Sequence, residues 1–384
     1  MFKNLNSRVH YYLFLISLAF IVYMPLHVFI VQSASVVTGG LDVWKAAKDV
    51  LLVILVPLML FLAYRRGLFH DRTFRLLMGL GAAYTALHML FVLFDQNDDT
   101  YSAIVASVYN TRLLGYLLLG YLVGSCKNGK NHLKYLFTAA VLIAALVSLF
   151  GIMQYFLPHN MLESVGYSLE RGVKPMFFID DNPDLQRIMS TLKDPNSLGS
   201  YLVLPILATA WAFMSSSINK KLFIRPFRRE VLAVMLAVML GALFFTFSRG
   251  AVMALAISIV TILYIVTGQR MVGYVKKYWY FILPITLILP LGVYIARDSA
   301  IVQDYVFHAA KTTDQQDPNE LRVSLQQEAL EDIVDEPFGY GPGTAGLVAT
   351  QNPKGGILTE NYYLQVAHEV GWAGIALFMT IASI

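Results

Sequence analysis

Residues 231–267 read VLAVMLAVMLGALFFTFSRGAVMALAISIVTILYIVT, and this stretch sets the architecture of the chain. Apart from Ser248-Arg249-Gly250, it is almost continuously apolar. A single helix over these residues would run about 55 Å, whereas the hydrocarbon core of a bilayer is about 30 Å thick. The stretch therefore predicts two membrane-spanning helices that are joined by a tight turn at Arg249.

The composition extends this prediction to the whole chain. Of its 384 residues, 57% are hydrophobic and 14% are charged, whereas a soluble protein carries about 25% charged residues. The apolar blocks have the length of bilayer-spanning helices. We therefore predict an all-α, polytopic transmembrane helical bundle with at least ten spans, which forms a single integral membrane domain over residues 1–384. The predicted spans lie near 11–31, 50–64, 74–94, 102–124, 134–157, 198–214, 230–247, 251–267, 278–296 and 361–384.

The two ends of the chain carry separate expectations. Lys3 and Arg8 precede the first span, whose apolar run of about 20 residues is too long for the core of a signal peptide, so we expect a retained anchor. At the other end, Ile384 closes an apolar helix with no basic residue after it. This predicts that the sequence stops short of further spans.

The distribution of charge predicts the topology. With a cytoplasmic N-terminus, 17 of the 29 Lys and Arg residues fall in cytoplasmic loops, while only Asp71 and Glu230 of the 25 acidic residues do. Lys and Arg are enriched on the cytoplasmic side of membrane proteins. Two long loops, 158–197 and 297–360, then lie outside. Loops of this length are usually functional, so we expect them to carry the site; Glu320–Asp335 has a helical pattern.

Two outside turns place arginines next to helix starts: Arg187–Asn196 (RIMSTLKDPN) and Phe247–Ala251 (FSRGA). Asp194-Pro195-Asn196-Ser197 predicts a helix start with Asn196 or Ser197 as the cap. A capping turn at the first site and an arginine that reaches lipid headgroups at Arg249 are the simpler interpretations. Helix N-termini and guanidinium groups also suit phosphate, which favours an anion site.

Two further motifs follow in the second long loop and the last span. The glycines of Gly339–Thr344 (GYGPGT) predict a turn with positive φ, whose exposed amides at Gly341 and Gly343 could face a phosphate or sugar; a purely structural turn is the alternative. The second motif is Thr359–Leu364 (TENYYL), at the start of the last span. Asn361 within it shares one helix face with Gln365 and His368, which follow it. Ionisable groups inside a span usually face a polar interior. Glu360 or His368 is therefore a candidate general base.

Two more arginines have an open role. Arg112 lies halfway through its span, where burial costs about 2.5–3.5 kcal/mol, so it is expected to meet a partner. A structural ion pair and a role in the site are equally compatible with this position. Arg322 lies on the helical stretch of the second loop, where a solvated face is the simple interpretation.

The order of these motifs resembles the O-antigen ligase and Wzy-type polysaccharide polymerase superfamily. The likeness runs from about 187 to 374, through Arg187, Asp194-Pro195-Asn196, FSRGA, Arg322, GYGPGT and TENYYLQVAHEVGWAG. It implies a metal-independent, inverting glycosyltransferase of the GT-C type in the bacterial cytoplasmic (inner) membrane, with its active site on the outer face and no cofactor.

The resemblance also implies substrates and roles. The donor would be an undecaprenyl-diphosphate-linked glycan, and the acceptor another lipid-linked glycan or a lipid A core; other polysaccharide-assembly proteins are further candidate partners. Catalytic roles fall to Glu360, His368 and Arg249. Substrate-binding roles fall to Arg187, Asp194, Asn196, Arg322, Gly341, Gly343, Asn361 and Arg112.

The choice of acceptor follows from one departure. Ligases of this superfamily often carry His directly before the Asn of the last motif, whereas this chain has Glu360, which favours a polymerase. An O-antigen ligase or an oligosaccharyltransferase acting on protein stays open, as does a transporter of lipid-linked glycans, although the polar motifs concentrate on one face. The pattern of basic residues gives no support for nucleic-acid binding.

Overall fold

The computed structural model describes residues 2–94, 100–179, 182–268, 318–349 and 356–384. These residues form twelve helices and one small antiparallel sheet. The helices are α1 (Phe2–Thr38), α2 (Leu41–Arg65), α3 (Arg72–Phe94), α4 (Thr100–Gly124), α5 (Gly129–Tyr155), α6 (Pro195–Met214), α7 (Ser216–Leu222), α8 (Arg229–Phe245), α9 (Arg249–Thr267), α10 (Pro318–Asp335), α11 (Gly346–Ala349) and α12 (Tyr362–Ser383). The strands are β1 (Phe177–Ile179) and β2 (Asn182–Arg187).

The predicted helical membrane architecture is confirmed. Within the described part of the chain, eight helices are long and apolar enough to cross a membrane. They coincide with eight of the predicted spans. A ninth, predicted at 230–247, is the 17-residue helix α8, and the predicted span 278–296 lies outside the described residues. A total of ten or more spans stays a prediction.

The predicted break at Arg249 is confirmed. Helix α8 ends at Phe245 and α9 begins at Arg249, with Ser248 as its N-cap. The Ser248 hydroxyl accepts a hydrogen bond from the amide of Ala251 at 3.4 Å. Because the turn leaves no room for a gradual bend, Phe247 takes a left-handed backbone conformation (φ 50°).

The chain divides into two compact units. The first comprises Met1–Lys45 and Cys126–Lys311, and the second comprises Ala46–Ser125 and Thr312–Ile384. A single integral membrane domain over the whole chain stays a prediction. The described residues of the long loop 158–197 hold a 3-10 turn at Glu163–Val165 and the β1–β2 hairpin, and a partly helical character of this loop stays a prediction. The helix predicted over Glu320–Asp335 is confirmed as part of α10.

Helix α6 is the centre of the first unit. Its Leu198 and Leu202 are fully buried in a cluster that also holds Leu232 and Met239 of α8. Gly199 lies where the start of α6 meets the turn between α8 and α9: a Cβ there would come within 2.8 Å of the Ala251 Cβ. The apolar faces of α6, α8 and α9 thus hold both arginine-bearing turns at one end of this unit.

This close approach predicts the effect of a single methyl group. Gly199→Ala should destabilise the fold by about 1–3 kcal/mol, because the added atom overpacks a site without free space. Thermal unfolding of the purified protein in detergent measures it. Gly120→Ala is the matched control, since nothing lies within 4 Å of that position and alanine favours helix over glycine. A midpoint equal to that of the wild type in Gly199→Ala would contradict the packing.

In the second unit, α12 packs against α3 and is interrupted in its middle. Leu77 and Tyr84 of α3 lie in one buried cluster with Val366 and Val370 of α12. Val370 and Gly371 have non-helical backbone angles, with φ values of −129° and 67°. This interruption frees backbone carbonyls of α12 to bind a neighbouring loop.

Candidate functional site

Arg187 is fixed at the end of β2 in the first unit. Its Nε donates to the backbone oxygen of Thr246 at 2.9 Å, and its Nη2 donates to Oδ1 of Asn196 at 3.0 Å. Thr246 is the C-cap of α8, and the exposed Arg249 begins α9 just after it. The structure therefore brings Arg187, Asn196 and the turn before Arg249 together.

Asp194 caps α6, which corrects the prediction of Asn196 or Ser197 as the cap. Its Oδ1 accepts from the Ser197 amide and its Oδ2 from the Ser197 hydroxyl, both at 2.8 Å. Pro195 occupies the first turn, where its missing N–H costs nothing. The Asp194 carboxylate is thereby engaged at the helix start, and the Asn196 side chain is left for Arg187.

The residues that follow Arg187 are held by hydrogen bonds to α5 and α1. The amide of Ser190 donates to Oε1 of Gln154 at 2.9 Å, and the Ser190 hydroxyl donates to the Val147 carbonyl at 2.6 Å, both on α5. The Thr191 hydroxyl donates to the Pro25 carbonyl of α1 at 2.7 Å. These bonds satisfy buried polar groups and hold the arginine loop in one position.

Three of the four predicted motifs contain a non-glycine residue with a left-handed backbone conformation. In the described residues, the non-glycine residues with positive φ are Ser190 (54°), Phe247 (50°) and Glu360 (51°). Each lies in one of the motifs RIMSTLKDPN, FSRGA and TENYYL. Such conformations cost about 1–3 kcal/mol each and cluster at functional sites. The surrounding structure therefore gives up some stability to hold these three turns.

The glycine turn of the second unit has the predicted backbone and an unexpected use. Gly339, Gly341 and Gly343 have φ values of 97°, 96° and 89°. The expected exposed amides are engaged within the protein: the amides of Tyr340 and Gly341 donate to the carbonyls of His368 and Glu369 at 2.8 and 2.9 Å. The turn thus fills the interruption of α12, and a substrate-binding role for Gly341 and Gly343 stays a prediction.

Glu369 is the buried anchor of this turn. Its Oε1 accepts from the Gly343 amide at 2.9 Å, and its Oε2 accepts from Nδ2 of Asn110 on α4 at 2.5 Å. The Ala345 amide and the Gln365 side chain also hydrogen-bond to the carboxylate. Glu369 is 0% exposed. All of these neighbours donate hydrogen bonds to Glu369, so both of its side-chain oxygens must accept. An ionised carboxylate has two oxygens that accept.

The chain of buried polar groups continues to His88. The Nδ1 of His88 lies 2.9 Å from the Tyr84 carbonyl, which can only accept, so Nδ1 carries the proton. The other ring nitrogen therefore accepts from Nδ2 of Asn110, at 3.2 Å. One amide group thus serves Glu369 and His88 at once, and each of these hydrogen bonds has one donor and one acceptor.

The His368 side chain is buried and does not face solvent. Its Nε2 lies 3.1 Å from Oδ2 of Asp332, and its Nδ1 lies 3.3 Å from the Thr344 hydroxyl. The ring stacks on Tyr340 with a centroid distance of 4.8 Å. Desolvation and the carboxylates of Asp332, Asp335 and Glu336 raise the pKa of the Tyr340 phenol. The Tyr340 side chain that stacks on His368 is therefore neutral. His368 joins α10, α12 and the glycine turn.

Glu360 and Arg322 form an accessible ion pair. Nε of Arg322 lies 3.4 Å from Oε2 of Glu360, and the two side chains are 47% and 38% exposed. Asn361 follows as the N-cap of α12, and its Oδ1 accepts from the Tyr363 amide at 2.9 Å. Asn361 therefore precedes the helix rather than starting the face predicted with Gln365 and His368.

Arg112 has the partner that its position within a span predicted, although its side chain is 40% exposed. Its Nη1 lies 3.7 Å from Oδ1 of the buried Asp49, whose Oδ2 lies 2.9 Å from Nζ of Lys48. The guanidinium also lies 4.9 Å from the ring centroid of Tyr109. The ion pair is thus observed, and a role for Arg112 in substrate binding stays a prediction.

Several residues of these networks escaped the sequence analysis. Asp332, Asn110 and His88 lie on three different helices, and no local spacing connects them. Glu369 is a further ionisable residue within a span, and its sequence neighbours do not indicate its partners. In the part of the chain that the structure describes, no three His, Cys, Asp or Glu side chains are grouped so that they could hold a metal ion.

A family model described as O-antigen ligase matches residues 234–379. The match confirms the resemblance to the O-antigen ligase and Wzy-type superfamily. It covers Arg249, Arg322, Glu360 and His368, whereas Arg187 precedes it. No curated protein and no solved structure matches the chain. Together with the apolar helices, the match supports a multi-pass membrane protein of the ligase or polymerase type of glycosyltransferase.

Proposed function

We propose that this chain polymerises undecaprenyl-diphosphate-linked oligosaccharide repeats at the outer face of the bacterial cytoplasmic membrane, with its N-terminus in the cytoplasm. The observation that supports this most directly is the ion pair of Glu360 and Arg322 at the start of α12. It lies within the segment matched by the family model. Glu360 is a carboxylate that solvent and substrate can reach.

The proposed reaction inverts the anomeric carbon without a metal ion. The acceptor hydroxyl forms a bond to the anomeric carbon, the bond from that carbon to the diphosphate oxygen breaks, and the lipid diphosphate leaves. Negative charge grows on the diphosphate in the transition state. Preorganised cations stabilise such charge strongly, and we assign this task to Arg187 and Arg249, with Arg322 assisting.

We assign the general base to Glu360 rather than His368. Both ring nitrogens of His368 already have partners, and the residue is only 4% exposed. Glu360 is partly exposed, and Arg322 orients its carboxylate. A base must come within hydrogen-bond reach of the proton that it takes, which favours Glu360. The proton of the acceptor hydroxyl passes to this carboxylate.

This assignment predicts the effect of removing the carboxylate. Glu360→Gln should lower the transfer rate by about 10²-fold or more, the usual contribution of a general base, while binding of the lipid-linked donor is retained. Single-turnover rates and donor binding, measured separately on purified protein, test this. Glu320→Gln, an exposed acid on α10, is the control. An unchanged rate in Glu360→Gln would rule out Glu360 as the base.

An O-antigen ligase is the second candidate, because this is the description of the matching family. The purified chain is incubated in liposomes with undecaprenyl-diphosphate oligosaccharide alone, and the products are separated by size. A ladder without a second acceptor supports the polymerase. Transfer only after addition of a lipid A core or a peptide supports a ligase or oligosaccharyltransferase. Movement of the intact donor across the bilayer without transfer would favour a transporter.

A further inference from the structure

We propose that the first unit binds anionic phospholipid headgroups on a surface at the end opposite to Asp194 and Arg249. This basic surface consists of the exposed side chains of Lys130, Lys220, Lys221, Arg225, Arg228 and Arg229. Within 126–155 and 215–245, Glu230 is the only acidic residue. The inference is independent of the proposed function, since it concerns the other end of α6.

Two segments are joined to form this surface. Nζ of Lys134 donates to the carbonyl of Lys220 at 3.0 Å, and the amide of Ile224 donates to the Thr138 hydroxyl at 3.1 Å. These bonds connect the first turns of α5 to the segment between α6 and α8. Cations that are distant in sequence are therefore gathered at one place, where they repel one another unless an anion is present.

The segment between α6 and α8 is ordered from inside. The Asn219 side chain spans it, because its Nδ2 donates to the Phe227 carbonyl at 2.7 Å and its Oδ1 accepts from the Phe227 amide at 3.0 Å. Phe223 is 1% exposed, and its ring lies 4.9 Å from that of Phe227. The apolar side chains point inward and the basic ones outward. A preformed surface loses less conformational entropy when it binds a ligand.

Exposed tyrosines place this surface at the depth of the headgroups. Tyr11 and Tyr12 of α1 and Tyr135 of α5 are 54%, 60% and 47% exposed. Phe14 lies between Tyr11 and Tyr135, because its ring centroid lies 6.3 Å from that of Tyr11 and 5.9 Å from that of Tyr135. Tyrosine is enriched at the interface between membrane and water. Basic residues close to these tyrosines are therefore expected to contact lipid phosphates rather than soluble proteins.

The ligand is therefore an anionic phospholipid such as phosphatidylglycerol. Clusters of four to eight Lys and Arg next to a membrane attract anionic lipids, with a contribution of about 1 kcal/mol for each residue. Neutralising three of them should weaken binding on the order of 100-fold. The zwitterionic phosphatidylcholine has no net charge to attract.

The test uses the purified full chain in detergent, titrated with phosphatidylglycerol or phosphatidylcholine while bound lipid is counted by native mass spectrometry. The variant Lys220→Gln/Lys221→Gln/Arg225→Gln should bind phosphatidylglycerol about 100-fold more weakly. The charge-conserving variant Lys220→Arg/Lys221→Arg should bind it like the wild type. Undiminished binding in the neutral variant, or equal binding of both lipids by the wild type, would overturn the proposal.

Two controls distinguish lipid binding from misfolding of the variant and from binding of soluble phosphates. Thermal unfolding without added lipid shows whether the neutral variant is folded; if it unfolds early, Arg228→Gln/Arg229→Gln replaces it, with an expected loss of about 30-fold for the two charges removed. Glycerol 1-phosphate, added at the same concentration, should not displace the lipid. If it does, the surface is a site for soluble phosphates and the lipid assignment is wrong.

Discussion

Alanine at Arg249 is expected to reduce transfer by about 10²- to 10³-fold, the cost of removing one donor that stabilises transition-state charge. Arg249 stands exposed at the first position of α9. There the partial positive charge of the helix N-terminus adds to its own. Both favour the negative charge that grows on a leaving diphosphate, so the loss should fall on the rate of transfer more than on donor binding.

Single-turnover assays with a lipid-diphosphate donor measure this loss on purified protein. Arg249→Lys should recover part of the rate, since lysine keeps the charge but not the fork of parallel donors. Arg187→Ala should lower the rate in the same way, and it also removes the hydrogen bonds of Nε to Thr246 and of Nη2 to Asn196. Arg65→Ala is the control, as this exposed arginine lies at the end of α2. Full transfer by Arg249→Ala at normal protein levels would refute its proposed role.

The second large effect is expected at Glu369, and it concerns stability. Glu369→Gln places a donor where the Gly343 and Ala345 amides, Asn110 and Gln365 all donate. Each buried polar group left without a partner costs about 1–3 kcal/mol. Asn110 cannot simply turn over, because its amide group also serves Nε2 of His88, which accepts. Glu369→Leu should be worse, since it leaves every one of these donors unpaired.

Thermal unfolding in detergent and proteolysis of the glycine turn together test this. Both Glu369 variants should unfold at lower temperature, and protease should cut near Gly339–Thr344 before global unfolding, because Glu369 holds that turn. Glu331→Gln, an exposed acid on α10, should leave both measurements unchanged. If Glu369→Gln unfolds at the wild-type midpoint, the carboxylate does not anchor the turn.

The cap of α6 shows where local sequence rules reach their limit. Asp194-Pro195-Asn196-Ser197 contains three residue types that cap helices about equally well. Capping preferences located the helix start within a residue or two, and the hydrogen bonds alone selected Asp194. The selection also released Asn196, which became the partner of Arg187.

The glycine turn shows the same limit from the other side. Positive φ at Gly339, Gly341 and Gly343 was predictable, because glycine tolerates it without steric cost. The partners of this turn were not predictable from the sequence. Its amides bind carbonyls that are free only where α12 is interrupted at Val370 and Gly371. An interruption in one helix and the loop that fills it have no common sequence pattern.

The membrane helices, the break at Arg249 and the resemblance to the O-antigen ligase superfamily could all be predicted from the amino-acid sequence. They depend on the match of helix length to bilayer thickness and on the order of short motifs, which are local properties. Three pairings became visible only once the chain was folded: Arg322 with Glu360, Asp332 with His368, and Asn110 with both Glu369 and His88. Such pairs form because packing brings distant elements within about 3 Å, the range of a hydrogen bond, and residue spacing along one chain does not encode that distance.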